Sequence, residues 1–492
     1  MPRNPTAFVR DSGKSPDNRV FTKGFTMGVP SWQFLAFVLL GAVVFNAVSA
    51  RLWREAVWLV LNLTFVWSLS GTIALLLPLA GFLTLGFLGA EVARKRWATW
   101  PAIGLILALF IWLKRYSFIP DQLMLPPGFM LVGLSYVFFR VMHLIIDAGQ
   151  GAERIGVIRY VNFTLNFPAF ISGPIQRRED YEAHDSLPLT VPDISLAAWR
   201  MILGAFKVLV LSAVLLAWQH DMIGWLGSEL SFGQRVVAGA LVVVLYPLFL
   251  YMNFSGYTDF VIGVARLFRL GLPENFDHPF SAVNFINFWS RWHISLSQWL
   301  RSYVFSPLLM TWMRRFKSAR SKQYPSVVAL FVTFFLVGAW HGPTSAFLFF
   351  GLLQGGGVAG NRMYQVILTR WLTQAGCQLL SQNPVYRSLA RGLTFTWFAF
   401  TLLWFWAGWS EIGALGTRLA VTGSIAAFVV TVCSASVVLA VPDILGAFAG
   451  KIESVSQSRY TRTMFASAMI FVMAVATIVL NISSPDIVYK QF

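Results

Sequence analysis

Charge is scarce in this sequence: 12% of its 492 residues are Asp, Glu, Lys or Arg. Soluble proteins carry about 25% charged residues, so an ordinary soluble protein is excluded. Hydrophobic residues make up 57% of the chain, and apolar runs of roughly 20 residues, the length of a membrane-crossing helix, recur along it. The runs do not alternate with polar positions, which excludes a transmembrane β-barrel. The sequence therefore predicts an all-α polytopic membrane protein of about 12–14 helices.

Cysteine and metal-ligand patterns are also lacking. The two cysteines, Cys377 and Cys433, are far apart in sequence and lie near apolar segments. They form neither a disulfide framework nor a thiol metal site. No two of the six histidines have the spacing of a helical metal site, so we expect no metal and no tightly bound cofactor.

Acidic residues are few, with 21 Asp and Glu against 38 Lys and Arg, a formal net charge of +17. The basic residues lie in short connections such as Arg94–Arg96, Arg177–Arg178 and Arg314–Lys317. The positive-inside rule and anionic lipid headgroups account for them, so we expect membrane lipids and no nucleic acid as partners.

The chain has no recognisable soluble domain. Residues 1–29 form a polar, basic tail, and 30–492 is predicted to be a single membrane domain. Met27 directly precedes the first apolar run and is an alternative start. Polar breaks interrupt apolar sequence at 168–174, 253–259 and 338–343. Irregular backbone at membrane depth must be buried or line a cavity; ordinary interfacial loops are the alternative.

Two histidines stand beside tryptophans in apolar surroundings, where a titratable ring is costly. His341 ends an apolar run before Gly342-Pro343, so its ring is expected at a helix terminus. A neutral imidazole there can take a proton from an attacking hydroxyl. His293 is predicted to share a helical face with Trp289 and Ser297, because they are spaced i, i+4. From the residues alone, a structural role for each histidine stays open.

Two carboxylates, Asp147 and Asp259, lie in or near apolar runs. A secondary transporter or acyl-lipid flippase would use such groups for ion coupling. They can instead be structural, with Asp147 on the helical face of His143 and with Arg140, Arg266 or a tyrosine hydroxyl as partners. Serine hydrolase chemistry has no support, because the Gly-x-Ser-x-Gly elbow is absent.

The motif Arg291–Ser297 with Trp299–Arg301, followed by Gly338–Gly342, resembles the membrane-bound O-acyltransferase (MBOAT) superfamily. The nearest branch is the bacterial alginate O-acetyltransferase type, related to the teichoic acid D-alanyl transfer protein. Phe254–Asp259 and Leu272–Phe276 also resemble that branch. Ser302, residues 309–312 and Asn253 depart from it.

The resemblance implies a ring of helices around a thin centre, with a tunnel joining the membrane faces. It implies that His341 is the general base and that His293 orients or polarises. The acyl donor would be acyl-CoA or an acyl carrier protein thioester, and the acceptor an envelope polysaccharide reached through a periplasmic or surface acyltransferase partner. The expected location is the plasma (inner) membrane. Candidate substrate-binding or tunnel residues are Trp289, Arg291, Trp292, Ser297, Trp340, Asn253, Ser255, Tyr257 and Asp259.

Overall fold

A computed structural model describes residues 29–70, 72, 74–124, 132–182, 189–315, 324–441, 459–479 and 485. The basic tail expected at 1–29 falls almost wholly outside them, as does His184. The tail and the single membrane domain expected at 30–492 therefore stay predictions.

The described chain is built from helices, as the apolar runs predicted. The first ten are α1 Trp32–Ala47, α2 Arg51–Ser70, α3 Leu77–Ala93, α4 Thr99–Leu113, α5 Leu134–Gly149, α6 Val157–Leu165, α7 Arg178–Glu182, α8 Val191–Phe206, α9 Ser212–Leu226 and α10 Phe232–Leu267. The rest are α11 Phe285–Trp289, α12 Ile294–Leu300, α13 Ser306–Arg315, α14 Tyr324–His341, α15 Ser345–Trp371, α16 Gln374–Gln382, α17 Pro384–Thr401, α18 Leu403–Trp406, α19 Trp409–Val438 and α20 Arg459–Ala474.

Seven helical segments in the described ranges are long and apolar enough to cross a membrane. They are 74–93, 96–113, 191–226, 232–267, 324–341, 409–438 and 460–478. Shorter apolar helices such as α1 accompany them. The chain is thus an all-α polytopic membrane protein.

The contacts divide the chain into two compact units. Among the described residues, unit 1 contains those of 29–201 and 259–272, and unit 2 contains those of 202–258 and 273–485. Each is described by itself below.

Unit 1 has a core of packed aromatic rings. Phe167 lies against Trp58, with ring centroids 5.0 Å apart, and against Phe65 and Phe268 at 5.7 and 5.6 Å. Such edge and tilted pairs add to the stabilisation from burying apolar area. This core surrounds the first of the three predicted breaks.

The break at 168–174 is irregular and fully buried, as the sequence predicted. Side chains bind the backbone within this break and just before it: Arg140 donates to the carbonyl oxygens of Thr164 and Ala169 at 2.8 and 2.7 Å. The Phe167 amide donates to Asn62 Oδ1 at 2.8 Å. Buried backbone groups need such partners. This break therefore belongs to the hydrogen-bonded core of unit 1 and is not an interfacial loop.

The expected break at 253–259 is wrong, because these residues continue α10. Asn, Ser and Gly favour breaks in water, but at membrane depth a helix satisfies every backbone group within itself. Gly256 is required here for close packing: a Cβ would lie 2.8 Å from the Gly204 carbonyl oxygen. The polar residues are thus carried on a buried helix.

In unit 2, α14 and α15 pack closely across small residues. A Cβ on Gly338 would meet the backbone of Gly351, and one on Gly355 would lie 2.7 Å from the Phe331 carbonyl oxygen. Gly355 therefore serves helix packing, as its apolar context indicated, whereas a Cβ on Gly356 would meet no atom within 4 Å. This contact fixes the end of α14, where His341 lies.

Candidate active site

His341 lies at the C-terminal end of α14, and its exposed fraction is 2%. The helix ends at His341, before Gly342-Pro343, as the sequence predicted. The imidazole packs among aromatic rings, with centroid distances of 5.0 Å to Phe405, 5.9 Å to Phe350 and 4.6 Å to Trp340. The ring is therefore held by rigid apolar neighbours at a helix terminus.

His293 is also buried, with an exposed fraction of 1%, but its predicted backbone is wrong. It is not inside a helix with Trp289 and Ser297: α11 ends at Trp289 and α12 begins at Ile294. His293 is the N-cap of α12 and has the left-handed conformation φ 46°, ψ 54°. The i, i+4 face proposed for these residues therefore does not exist.

Pairing with a distant segment explains this turn. Phe276 and Trp292 form an antiparallel bridge, the Asp277 amide donates to the Arg291 carbonyl oxygen, and the Ile294 amide donates to the Asn275 carbonyl oxygen, both at 3.0 Å. These bonds fix the chain on both sides of His293. A left-handed histidine is strained, and it persists because its surroundings determine it.

Trp340 brings the two histidines into one cluster. Its ring centroid lies 6.3 Å from that of His293, and the Phe254 ring meets His293 edge-on at 4.9 Å. His293, Trp340 and His341 therefore lie together in the buried interior of unit 2.

His293 lies outside the seven candidate spans, and burial lowers the pKa of its imidazole to about 3. A buried cation loses its hydration, which favours the neutral ring. At physiological pH His293 is therefore a neutral imidazole, able to donate at one nitrogen and accept at the other.

The remaining candidates divide into groups. Trp289 and Trp292 are buried in an aromatic cluster, with Trp289 4.9 Å from Phe334 and Trp292 5.0 Å from Phe398. Arg291 binds Asp277 at 3.4 Å and is partly exposed. The Ser297 hydroxyl contacts the Trp292 carbonyl oxygen at 3.5 Å. The Ser297 amide also donates to the His293 carbonyl oxygen at 3.1 Å. These contacts indicate supporting roles.

The candidates on α10 are buried, but their neighbour Phe254 is the residue that meets His293. Asn253, Ser255 and Tyr257 have exposed fractions of 3% or less. Asp259 belongs to unit 1, where its Oδ1 accepts from Arg200 Nη2 at 2.6 Å. The sequence did not identify this partner.

Asp147 lies near His143, with 3.9 Å between Oδ2 and Nε2. Both carboxylates considered for ion coupling thus have partners, which matches the structural role left open by the sequence. Asp147 also lines a cavity of about 270 Å³, and neither His293 nor His341 lines this cavity.

Sequence reasoning did not single out Asn275, Ser295, Phe350 or Phe405 as site residues. Asn275 is fully buried, and its side-chain oxygen contacts both His293 and Ser295. The sequence signal for Asn275 was its place in the Leu272–Phe276 motif. That motif supported the family resemblance but assigned no role to Asn275. No group of three His, Cys, Asp or Glu side chains in the described ranges could hold a metal.

The model of the MBOAT, membrane-bound O-acyltransferase family, matches residues 98–405, more than half of the chain and both histidine motifs. The chain belongs to the MBOAT family. It is an O-acyltransferase of the membrane, and the buried histidine cluster lies within the part that matches.

Several relatives of this MBOAT protein are named for the polymers teichoic acid, peptidoglycan and alginate. A teichoic acid D-alanyltransferase of Bacillus subtilis is 28% identical over 353 residues, covering 66% of this chain and 85% of that protein. A peptidoglycan O-acetyltransferase of Helicobacter pylori is 30% identical over 209 residues, 42% of this chain and 37% of that protein. A probable alginate O-acetylase of Pseudomonas putida is 30% identical over 251 residues, covering 48% and 46%. The chain thus spans less than half the length of the latter two.

Proposed function

We propose that this MBOAT protein moves an acyl group, acetyl by preference, from a cytoplasmic thioester across the membrane toward hydroxyls of an envelope or secreted polysaccharide. The observation that carries the proposal is the buried cluster of His341, Trp340 and His293 within unit 2. The names of the relatives, which act on teichoic acid, peptidoglycan and alginate, support a polymer acceptor.

In the proposed reaction His341 is the general base. Its neutral imidazole takes the proton of the attacking hydroxyl as the oxygen bonds to the acyl carbon. The carbon–sulfur bond of the thioester then breaks, and the thiolate receives the proton from the imidazolium. The aromatic rings of Phe350, Phe405 and Trp340 hold the imidazole in place and exclude water, which would otherwise hydrolyse the thioester.

The donor is acyl-CoA or an acylated carrier protein, and a periplasmic or surface acyltransferase completes transfer to the polymer. The plasma membrane is the proposed location. Because His341 is 2% exposed, a thioester and an alcohol must each reach it through an opening between side chains. The tunnel and ring of helices expected from the family resemblance remain part of this proposal.

The test compares cells expressing the wild-type chain, His341→Ala and His220→Ala, with mass spectrometry of alkali-labile esters on envelope glycans. His220 is an exposed residue in the middle of α9, so its substitution is a matched control. We expect His341→Ala to lower ester formation at least 100-fold, the usual contribution of a general base. Normal ester levels in His341→Ala would contradict the role of His341. Esters that are independent of the wild-type chain would contradict the function.

A further inference from the structure

Unit 1 contains a small cleft whose walls carry several arginines. Its volume is about 40 Å³, enough for about three water molecules or for the oxygens that a bound phosphate group would place there. The charged side chains that line it are Arg51, Arg54, Glu55, Arg159 and Glu182. Arg54 is buried, whereas the side chains of Arg51 and Arg159 are 58% and 38% exposed. The cleft therefore combines one buried cation with two cations at the protein surface.

Glu55 carries too little charge to balance the arginines around it. Its Oε1 atom accepts from the Nε groups of both Arg51 and Arg159, each at 3.0 Å. These two bonds join the start of α2 to α6. Arg54, which also lines the cleft, directly precedes Glu55 in the chain. One carboxylate thus lies among three guanidinium groups, and the cleft has an excess of positive charge.

Two further arginines add to this excess. Glu182, the second carboxylate of the cleft, accepts from Arg178 Nε at 2.8 Å. Arg269 donates from Nε to Asn46 Oδ1 at 2.9 Å. Burial and then the nearby guanidinium of Arg54 lower the pKa of Arg269, so these two cations lie close enough to repel each other. An anion bound in the cleft would relieve this repulsion.

Exposed apolar side chains flank the cleft on two helices. On α2 they are Leu52 and Trp53, with exposed fractions of 80% and 40%, and on α6 they are Val157 and Ile158, with 60% and 52%. In a membrane protein such side chains contact acyl chains, and tryptophan is typical of the headgroup level. The cationic cleft therefore lies beside lipid, at the depth where headgroups are found.

We propose that this cleft binds the phosphate group of an anionic phospholipid, with Arg51, Arg54 and Arg159 as its ligands. Guanidinium groups bind phosphate oxygens through paired N–H donors, and basic pockets beside membrane helices bind lipid headgroups in this way. The apolar side chains of α2 and α6 contact the acyl chains of the same lipid. Free phosphate has no acyl chains to use these contacts, so the lipid is the better ligand. This inference does not depend on the proposed function.

The first test uses the purified full chain in a non-ionic detergent after removal of bound lipid. Three probes are added in turn: dioleoylphosphatidylglycerol, dioleoylglycerol, which lacks the phosphate, and inorganic phosphate, which lacks the acyl chains. Native mass spectrometry gives the Kd of the first bound lipid, and thermal melting gives the effect of each probe on stability. We expect phosphatidylglycerol to bind at least about tenfold more tightly than dioleoylglycerol and to raise the melting temperature. Equal binding of the two lipids, or equal stabilisation by inorganic phosphate, would overturn the proposal.

Two variants should change lipid binding in opposite directions. Arg54→Met removes the buried guanidinium but keeps a side chain of similar length, and should weaken phosphatidylglycerol binding about tenfold, the effect of losing a hydrogen bond to a charged group. Glu55→Gln removes the carboxylate that competes with the phosphate for Arg51 and Arg159, and should tighten binding about fivefold. Arg315→Met removes an exposed arginine at the end of α13. It is the matched control and should leave the Kd unchanged.

The Glu55→Gln variant keeps the test decisive if Arg54→Met does not fold, because misfolding does not produce tighter binding. Thermal melting without lipid shows which variants are folded. A folded Glu55→Gln that bound phosphatidylglycerol no more tightly than the wild type would overturn the proposal. Equal weakening by Arg54→Met and Arg315→Met would also overturn it, because total charge rather than the cleft would then govern lipid binding.

Discussion

The indole of Trp340 lies against the imidazole of His341, with ring centroids 4.6 Å apart and the planes inclined by 54°. The same indole is 6.3 Å from His293. Trp340 thus fills the space beside both imidazoles and limits how each ring can rotate. A displacement of about 1 Å in a catalytic group can lower the rate about 100-fold. Because His341 is the base in the proposed reaction, we expect this packing to affect activity.

We predict that Trp340→Leu lowers acyl transfer at least tenfold, while Trp340→Phe retains most of it. Phenylalanine keeps a flat ring against His341, whereas leucine leaves a gap and loses the ring contact. Initial rates of acyl transfer in membranes, normalised to the amount of folded protein, check this. Equal rates for Trp340→Leu and Trp340→Phe would contradict a catalytic importance of the aromatic ring at position 340.

Because the backbone of His293 is left-handed, two substitutions at this position can separate its effect on stability from its effect on activity. Only glycine adopts this conformation without strain, and other residues lose roughly 1–2 kcal/mol there. His293→Gly should therefore be more stable than His293→Ala by about 1 kcal/mol, although both lack the imidazole. Thermal melting in detergent measures the difference, and both variants should be nearly inactive. A more stable alanine variant would contradict the strain at this position.

Substitutions of Arg200 and Asp259 test whether their ion pair is structural or is used for ion coupling. Both side chains are largely buried, so Asp259→Asn should destabilise unit 1 by about 3 kcal/mol by leaving the guanidinium uncompensated. The double variant Arg200→Met, Asp259→Leu replaces the pair with apolar side chains and should recover most of that stability. It should also retain acyl transfer.

This prediction is checked by measuring ester formation by the double variant and its melting temperature. An ion-coupled transporter or flippase that used Asp259 would lose its flux when the carboxylate is removed. Loss of ester formation in a folded double variant would contradict a purely structural role for the pair.

The close contact between α14 and α15 predicts a contrast between two glycines. Gly338→Ala places a methyl group against the backbone of Gly351, which cannot move aside as a side chain could. We expect it to destabilise the protein by about 2–3 kcal/mol, the range of overpacking, and to displace His341 one turn away. Gly356→Ala meets no atom within 4 Å and should be neutral or stabilising by up to about 1 kcal/mol. Thermal melting and transfer rates check both, and equal stabilities would contradict this packing.

Much of this protein was predictable from its pattern of apolar residues. A helix that crosses a bilayer must be long, apolar and internally hydrogen-bonded, so composition and run length identify it without knowledge of its neighbours. The end of α14 at His341 was also predictable from neighbouring residues, because Gly342-Pro343 cannot continue a helix. The shared motif with a known family identified the enzyme class.

Local rules failed where distant segments decide the backbone. Residues 253–259 look like a break but are helical, because the surrounding residues of α10 form one long buried helix. His293 looks helical but is left-handed, because the bridge between Phe276 and Trp292 fixes the chain beside it. Residue spacing and helix propensity within one segment do not reveal where a distant segment lies.

The sequence by itself determined the membrane class, the end of the helix at His341 and the family, since each depends on neighbouring residues or on motifs. Only the tertiary structure decided that Trp340 joins His341 to His293, that Asp259 has Arg200 as its partner, and that Asn275 faces the imidazole of His293. Asn275 and His293 are 18 residues apart, and Arg200 and Asp259 are 59 residues apart. Packing and hydrogen bonding bring such pairs together, and these forces act through space rather than along the chain.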